Sequence, residues 1–141
     1  MTRPKPKAEF LSRLRMEEVV CVETGMPLKS RAGKQLYRSL AHLSFYSKNL
    51  GIIITVPVGF ISDLDSVPRI PVVYLLFSSF GDSPAFLHDY VYSVGLFPRL
   101  DCDDLLLEAA LATGVPAWKA RCVYAGVRLG GASHYNQENN P

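Results

Sequence analysis

The three cysteines, Cys21, Cys102 and Cys122, form no CxxC pair. An odd, scattered set argues for reduced thiols and against a disulfide framework or a zinc finger. No apolar stretch is long enough to cross a bilayer. The longest, Ile70 to Phe80, is eleven residues and carries Ser78 and Ser79. The N-terminus lacks an apolar core, so no secretion signal is expected. The Gly-x-Ser-x-Gly nucleophile elbow and the GxxxxGK phosphate loop are both missing. No internal repeat or low-complexity tract is found.

What is there fits one globular domain. A chain of 141 residues with 48% hydrophobic and 20% charged content can bury a core without metal or disulfide staples. The net charge of +2 hides an asymmetry. Residues 1–48 hold ten Lys/Arg against four Asp/Glu, and residues 49–141 hold five against nine. The basic residues are spaced along turns and strand faces with no aromatic platform beside them, so no nucleic-acid partner is expected.

Residues 1–8, with Pro4 and Pro6, read as a flexible lead. Val19 to Glu23 is a short β-type run, and Gly25 to Lys34 is a basic, turn-rich segment. Leu36 to Ser47 and the β-branched run Ile52 to Val56 flank the turn Asn49-Leu50-Gly51, which predicts a hairpin ended by Pro57 and Gly59. The second half turns helical. Asp82 or Ser83 can cap a helix that opens at Pro84 and stops at Gly95. Asp101 and Asp104 resemble a capping pair for a second helix that ends at Gly114. Pro116 opens a third, ending at Gly130-Gly131, and residues 132–141 form a polar, mobile tail. The expected fold class is α+β: residues 1–131 form one domain, with a small antiparallel sheet in the N-terminal half packed against three helices in the C-terminal half.

Polar residues gather in three blocks set in apolar sequence, where an unpaired polar group costs roughly 2–7 kcal/mol. The first, Gly59 to Arg69, holds Asp63, Asp65, Ser66 and Arg69 at a strand end. Its carboxylates can bind a hard ion or act as general base. They can equally form local turns with backbone donors. The second is His88-Asp89-Tyr90-Val91-Tyr92. Helical spacing puts His88 and Tyr92 on one face. Imidazole and carboxylate suit zinc, manganese or iron. Without a second histidine nearby, His88 reads equally well as a core histidine held by an internal acid. The third block pairs Arg99 with Asp103, and Arg99 can bind either Asp103 or Asp89. Cys102 reads as a small core residue.

The three blocks together resemble a phage and prophage family, domain-of-unknown-function family 1353, with its V-P-x-G-F-x-[ST]-D-x-x-S-x-P-R stretch, its H-D-Y-x-Y helix, and an Arg and an Asp at the next helix start. Val56-Pro57, Gly59-Phe60, Ser62-Asp63, Ser66, Pro68-Arg69, His88-Asp89-Tyr90, Tyr92, Arg99 and Asp103 carry the resemblance, over roughly Leu36 to Gly130. Ser62 replaces the commoner Thr, and Asp65 stands where a small residue is usual. The resemblance implies a tailed-phage or prophage protein and supplies no reaction.

Two functions follow as expectations. In the first, Asp63, His88, Asp89 and Asp103 hold one divalent metal ion, zinc or manganese, and activate water. Ser66, Arg69, Tyr90, Tyr92 and Arg99 then orient substrate or support the ligands. The protein would be a hydrolase of the virion or of host-cell lysis, acting on cell-wall material. In the second, the same residues form a structural network in a non-enzymatic tail or baseplate protein that contacts other phage proteins. The expected location is the host bacterial cytoplasm during infection, or the virion.

Overall fold

A computed structural model describes residues 6–29, 33, 35–62 and 82–130. The expectations for residues 1–5, for the Asp63 to Phe80 stretch and for the tail after Gly130 lie outside the described residues. Among these residues, six strands come first: β1 (Glu9–Phe10), β2 (Met16–Glu18), β3 (Tyr37–Ser39), β4 (Leu43–Ser47), β5 (Ile52–Val56) and β6 (Ile61–Ser62). Among the same described residues, three helices follow: α1 (Asp82–Val94), α2 (Arg99–Ala112) and α3 (Ala117–Gly130). The chain is therefore α+β in the order the sequence indicates, strands first and helices second.

The strands form two antiparallel sheets, β1-β4-β5 and β2-β3-β6. Their registers show that the two are halves of one bent ribbon. Phe10 opposes Phe45, and Met16, six residues on, opposes Ser39, six residues back. Leu43 opposes Val56, and Arg38, five back, opposes Ile61, five on. An unbroken ladder would give the same partners. The single strand expected over Leu36 to Ser47 is thus divided at Leu40 to His42, where the sheet turns its corner.

Two features make that corner possible. Gly59 adopts φ +88, a left-handed conformation that side chains oppose. The buried Ser39 hydroxyl donates to the Pro57 carbonyl at 2.7 Å and accepts the Phe60 amide at 3.0 Å. Backbone groups that lose their ladder partners at the bend are thereby satisfied. The β-type run expected at Val19 to Glu23 lies differently. The strand is Met16–Glu18, and Val20 makes only an isolated bridge to Pro27 before the chain turns.

Strand alternation fills the core. Leu43 and Phe45 of β4 and Ile54 and Val56 of β5 point inward, against Phe86, Leu87, Val91 and Tyr92 of α1 and Cys102, Leu105 and Ala109 of α2. A second cluster joins α2 to α3 through Leu106, Ala110, Ala120, Val123 and Val127. Helix α2 is therefore the central element, sheet on one side and α3 on the other. Helix α1 ends in a Schellman arrangement, with the Gly95 amide donating to the Tyr92 carbonyl and the Leu96 amide to the Val91 carbonyl. The expected capping role of Asp101 is corrected. Helix α2 starts two residues earlier, at Arg99 after Pro98, with no side-chain cap, and Asp101 lies in its first turn, where a carboxylate favours the helix dipole.

Phe45 touches both the sheet core and Phe10, with ring centroids 4.8 Å apart. Phe45→Ala should cost about 3–5 kcal/mol, read as a lower urea midpoint at unchanged slope. The buried Cys102 thiol donates to the Phe97 carbonyl, and burial pushes its pKa up to about 12. At pH 8 a thiol reagent should therefore modify Cys21 and Cys122 but not Cys102 until denaturant is added. Rapid labelling of Cys102 in the native protein would contradict this packing.

Candidate functional site

Asp103, on α2, has no exposed surface and sits among three donors. The His88 ring nitrogen Nε2 lies 3.0 Å from its Oδ1. The Tyr92 hydroxyl donates to the same oxygen. The Arg128 Nη1 donates to Oδ2 at 2.7 Å. His88 and Tyr92 are four residues apart on α1, so one helical face delivers both, with their rings 4.1 Å apart. Arg128 comes from the last turn of α3. One carboxylate thus receives side chains from both neighbouring helices.

Electrostatics follow from this geometry. Burial alone would raise the Asp103 pKa, but hydrogen bonds from His88, Tyr92 and Arg128 outweigh it and hold the carboxyl below its ordinary value. Burial first, then Asp103, pushes the Tyr92 phenol well above its usual value, with Arg99 opposing the shift. Tyr92 therefore remains a donor. The hydrogen bond to Asp103 also raises the Arg128 pKa.

The Arg99 guanidinium turns to backbone carbonyls of α3 rather than to Asp103 or Asp89. Its Nη2 donates to the Val127 and Arg128 carbonyls at 2.7 and 2.8 Å. Both carbonyls lie in the last described turn of α3, toward the negative end of its dipole. Arg99 and Asp103, one turn apart on α2, thus hold the same turn of α3, one by its backbone and the other through Arg128.

The rest of α2 ties down neighbouring elements in the same way. Tyr124 donates to Asp104 at 2.7 Å. Glu108 accepts from the Ser47 hydroxyl at 2.5 Å and the Asn49 amide at 3.0 Å, which fixes the β4–β5 turn. From the second block, Tyr90 is half-buried with its ring edge-on to Phe60 at 5.2 Å, and Phe60 also meets Phe86. Phe60 thereby docks the first block on the second. Asp89 is half-buried on α1.

The structure brings together His88, Tyr92 and Asp103, with Arg99 close to Tyr92. Asp63, Ser66 and Arg69 lie outside the described residues. Sequence reading missed Arg128, Tyr124 and Glu108. One signal was available: Tyr124 and Arg128 are four apart on a helix antiparallel to α2, so they share a face that can meet Asp103-Asp104. Among the described residues, no group of three His, Cys, Asp or Glu side chains could hold a metal ion. A cation approaching Asp103 meets Arg128 on one oxygen and two other donors on the second. Asp103 in this state does not fit an open metal ligand. Three clefts, of about 620, 460 and 230 Å³, are lined by described residues, and none is lined by His88, Tyr92 or Asp103.

These features define an α+β domain organised on a buried carboxylate network. The chain belongs to the family described as Protein of unknown function (DUF1353), whose model matches residues 39–127. No curated protein and no solved structure matches it.

The lowered pKa of Asp103 makes stability depend on pH. Its contribution is present above the unfolded carboxyl value of about 3.9 and is lost as pH falls through the lower folded value. The urea midpoint should therefore fall progressively as the pH is lowered below about 4. Asp103→Asn should cost about 3 kcal/mol at pH 7, the low end for breaking a buried pair, because Arg128 keeps 33% of its side chain exposed. The same variant should flatten the acid limb. An acid limb equal to that of the wild type would assign the transition to other carboxylates.

Proposed function

We propose that the chain is a non-enzymatic component of a tailed phage or prophage, whose His88–Tyr92–Asp103–Arg128 network holds its helices in place. The phage context rests on the resemblance of the three sequence blocks to the phage family. The structural role rests on one observation: both Asp103 oxygens are engaged by donors from two helices, in a place that water does not reach. A general base or a metal ligand needs an accessible lone pair. Other phage proteins are the partners of such a component, in the assembling particle or the infected cell.

One observation favours a second reading. A carboxylate bonded to an imidazole is the arrangement that orients metal-binding histidines. In that reading Asp103 positions His88, and Asp63, His88 and Asp89 hold the divalent ion. The ion would supply activated water for cell-wall hydrolysis.

Elemental mass spectrometry of the native protein separates the two. The structural reading expects no stoichiometric zinc or manganese, even after soaking in either ion. About one ion per chain, lost in a folded His88→Gln variant that keeps an amide donor toward Asp103, would overturn it and establish the metal site.

A further inference from the structure

Among the described residues, each half of the bent ribbon has the same two outer edges, one made by β1 and β2 and the other by β5 and β6. An open edge presents unpaired backbone donors and acceptors, and proteins protect such edges with charge, shortness, proline or bulges. The first edge is protected. From Glu9 to Glu18 it carries Glu9, Arg13, Arg15, Glu17 and Glu18, and its strands are two and three residues long.

The second edge differs. From Asn49 to Ser62, fourteen residues carry no charge. Within it β5 is Ile-Ile-Ile-Thr-Val, five residues, all β-branched, bounded by Gly51 and Pro57. Ile52 is 42% exposed, Ile53 58%, Val58 52% and Ile61 44%. Helix α2 packs on β1 and β4, and α1 on β6. Among the described residues, no strand pairs with the outer side of β5.

We propose that the outer edge of β5 is a docking edge and that its occupant is the β5 strand of a second copy of this chain, paired antiparallel about a twofold axis at Ile54. That register sets Ile54 against Ile54 of the second copy, Ile53 against Thr55, and Ile52 against Val56. Every cross-strand pair is then β-branched and none opposes like charges. It also accounts for Ile52, which shares the inward parity of Ile54 and Val56 yet is exposed. In the pair, Ile52 lies beside the core-facing Val56 of the other copy. Ile53 gains Thr55 as its neighbour on the outer face, where Thr55 already meets Ser44. The two sheets become one continuous sheet, an isologous arrangement that closes on itself.

The strand spans only about 17 Å. Such a contact buries less than the roughly 1,200 Å² of a standard stable interface. The dimer is therefore weak and concentration-dependent.

Sedimentation velocity of the full chain from about 1 µM to about 1 mM tests this, together with amide hydrogen exchange at both ends of the range. The expected result is a monomer–dimer equilibrium with slowed exchange within residues 52–56 at high concentration. Ile53→Lys, with its fold confirmed by circular dichroism, should weaken the dimer at least about tenfold. Leu11→Lys on the protected edge should leave it unchanged. The proposal is overturned by a wild-type monomer throughout, by a dimer without slowed exchange in residues 52–56, or by equal loss in both variants.

Discussion

A carboxylate withdrawn from water cannot stand alone, and Asp103 is withdrawn completely. Removing a charge from solvent costs several kcal/mol unless donors replace the lost water. Those donors constrain the helical layer. His88 and Tyr92 must share a face of α1, which fixes the rotation of that helix. Arg128 must reach inward from the last described turn of α3, which sets the position of that turn against α2. Arg99 holds the same turn by its carbonyls, so α2 grips α3 from two points one turn apart along α2. Such a network contributes less to stability than an apolar core of equal volume would. Its effect is on placement, because an apolar helix interface tolerates sliding and rotation and a donor–acceptor set does not.

The sheet carries a different constraint. A three-stranded ribbon with one face in the core must curve to meet two helices, and curvature breaks ladder hydrogen bonds. The chain breaks them in one place per strand and supplies local replacements. Ser39 satisfies groups of Pro57 and Phe60, and Ser12 does the same between β1 and β2 by accepting the Ser44 amide and donating to the His42 carbonyl. Phe60 leaves this corner and packs edge-on against Phe86 and Tyr90. The corner thereby positions α1, and α1 positions His88. Gly59-Phe60 and His88-Asp89-Tyr90, separate blocks in the sequence, are joined by that packing.

Much of this was legible in the sequence, for identifiable reasons. The three helices announced themselves through Pro84, Gly95, Gly114 and Pro116, which act locally. The hairpin of β4 and β5 did so through β-branched residues around Asn49-Leu50-Gly51. His88 as a core histidine held by an acid was one of two open readings, but the choice of acid was not legible. Asp103 is fifteen residues away and becomes a neighbour only when α1 and α2 pack together. The corner at Leu40 to His42 was illegible because the hydrophobic pattern continues through it. Arg99 misled because an acid four residues along the same helix offers an obvious partner, whereas the backbone carbonyls of another helix leave no mark in composition.

Arg128 bears on the two meanings of the His88–Asp103 pair. A histidine bonded to a buried carboxylate is compatible with chemistry and with mere packing. An active pair needs its carboxylate to balance a charge that appears on the imidazole or on a bound ion. Asp103 already balances a permanent cation, since a guanidinium does not deprotonate in a protein. A second positive charge beside it would face repulsion from Arg128 in a region of low dielectric. Both oxygens of Asp103 are thus already engaged by donors from α1 and α3, and the proposal of a placement role rests on that engagement.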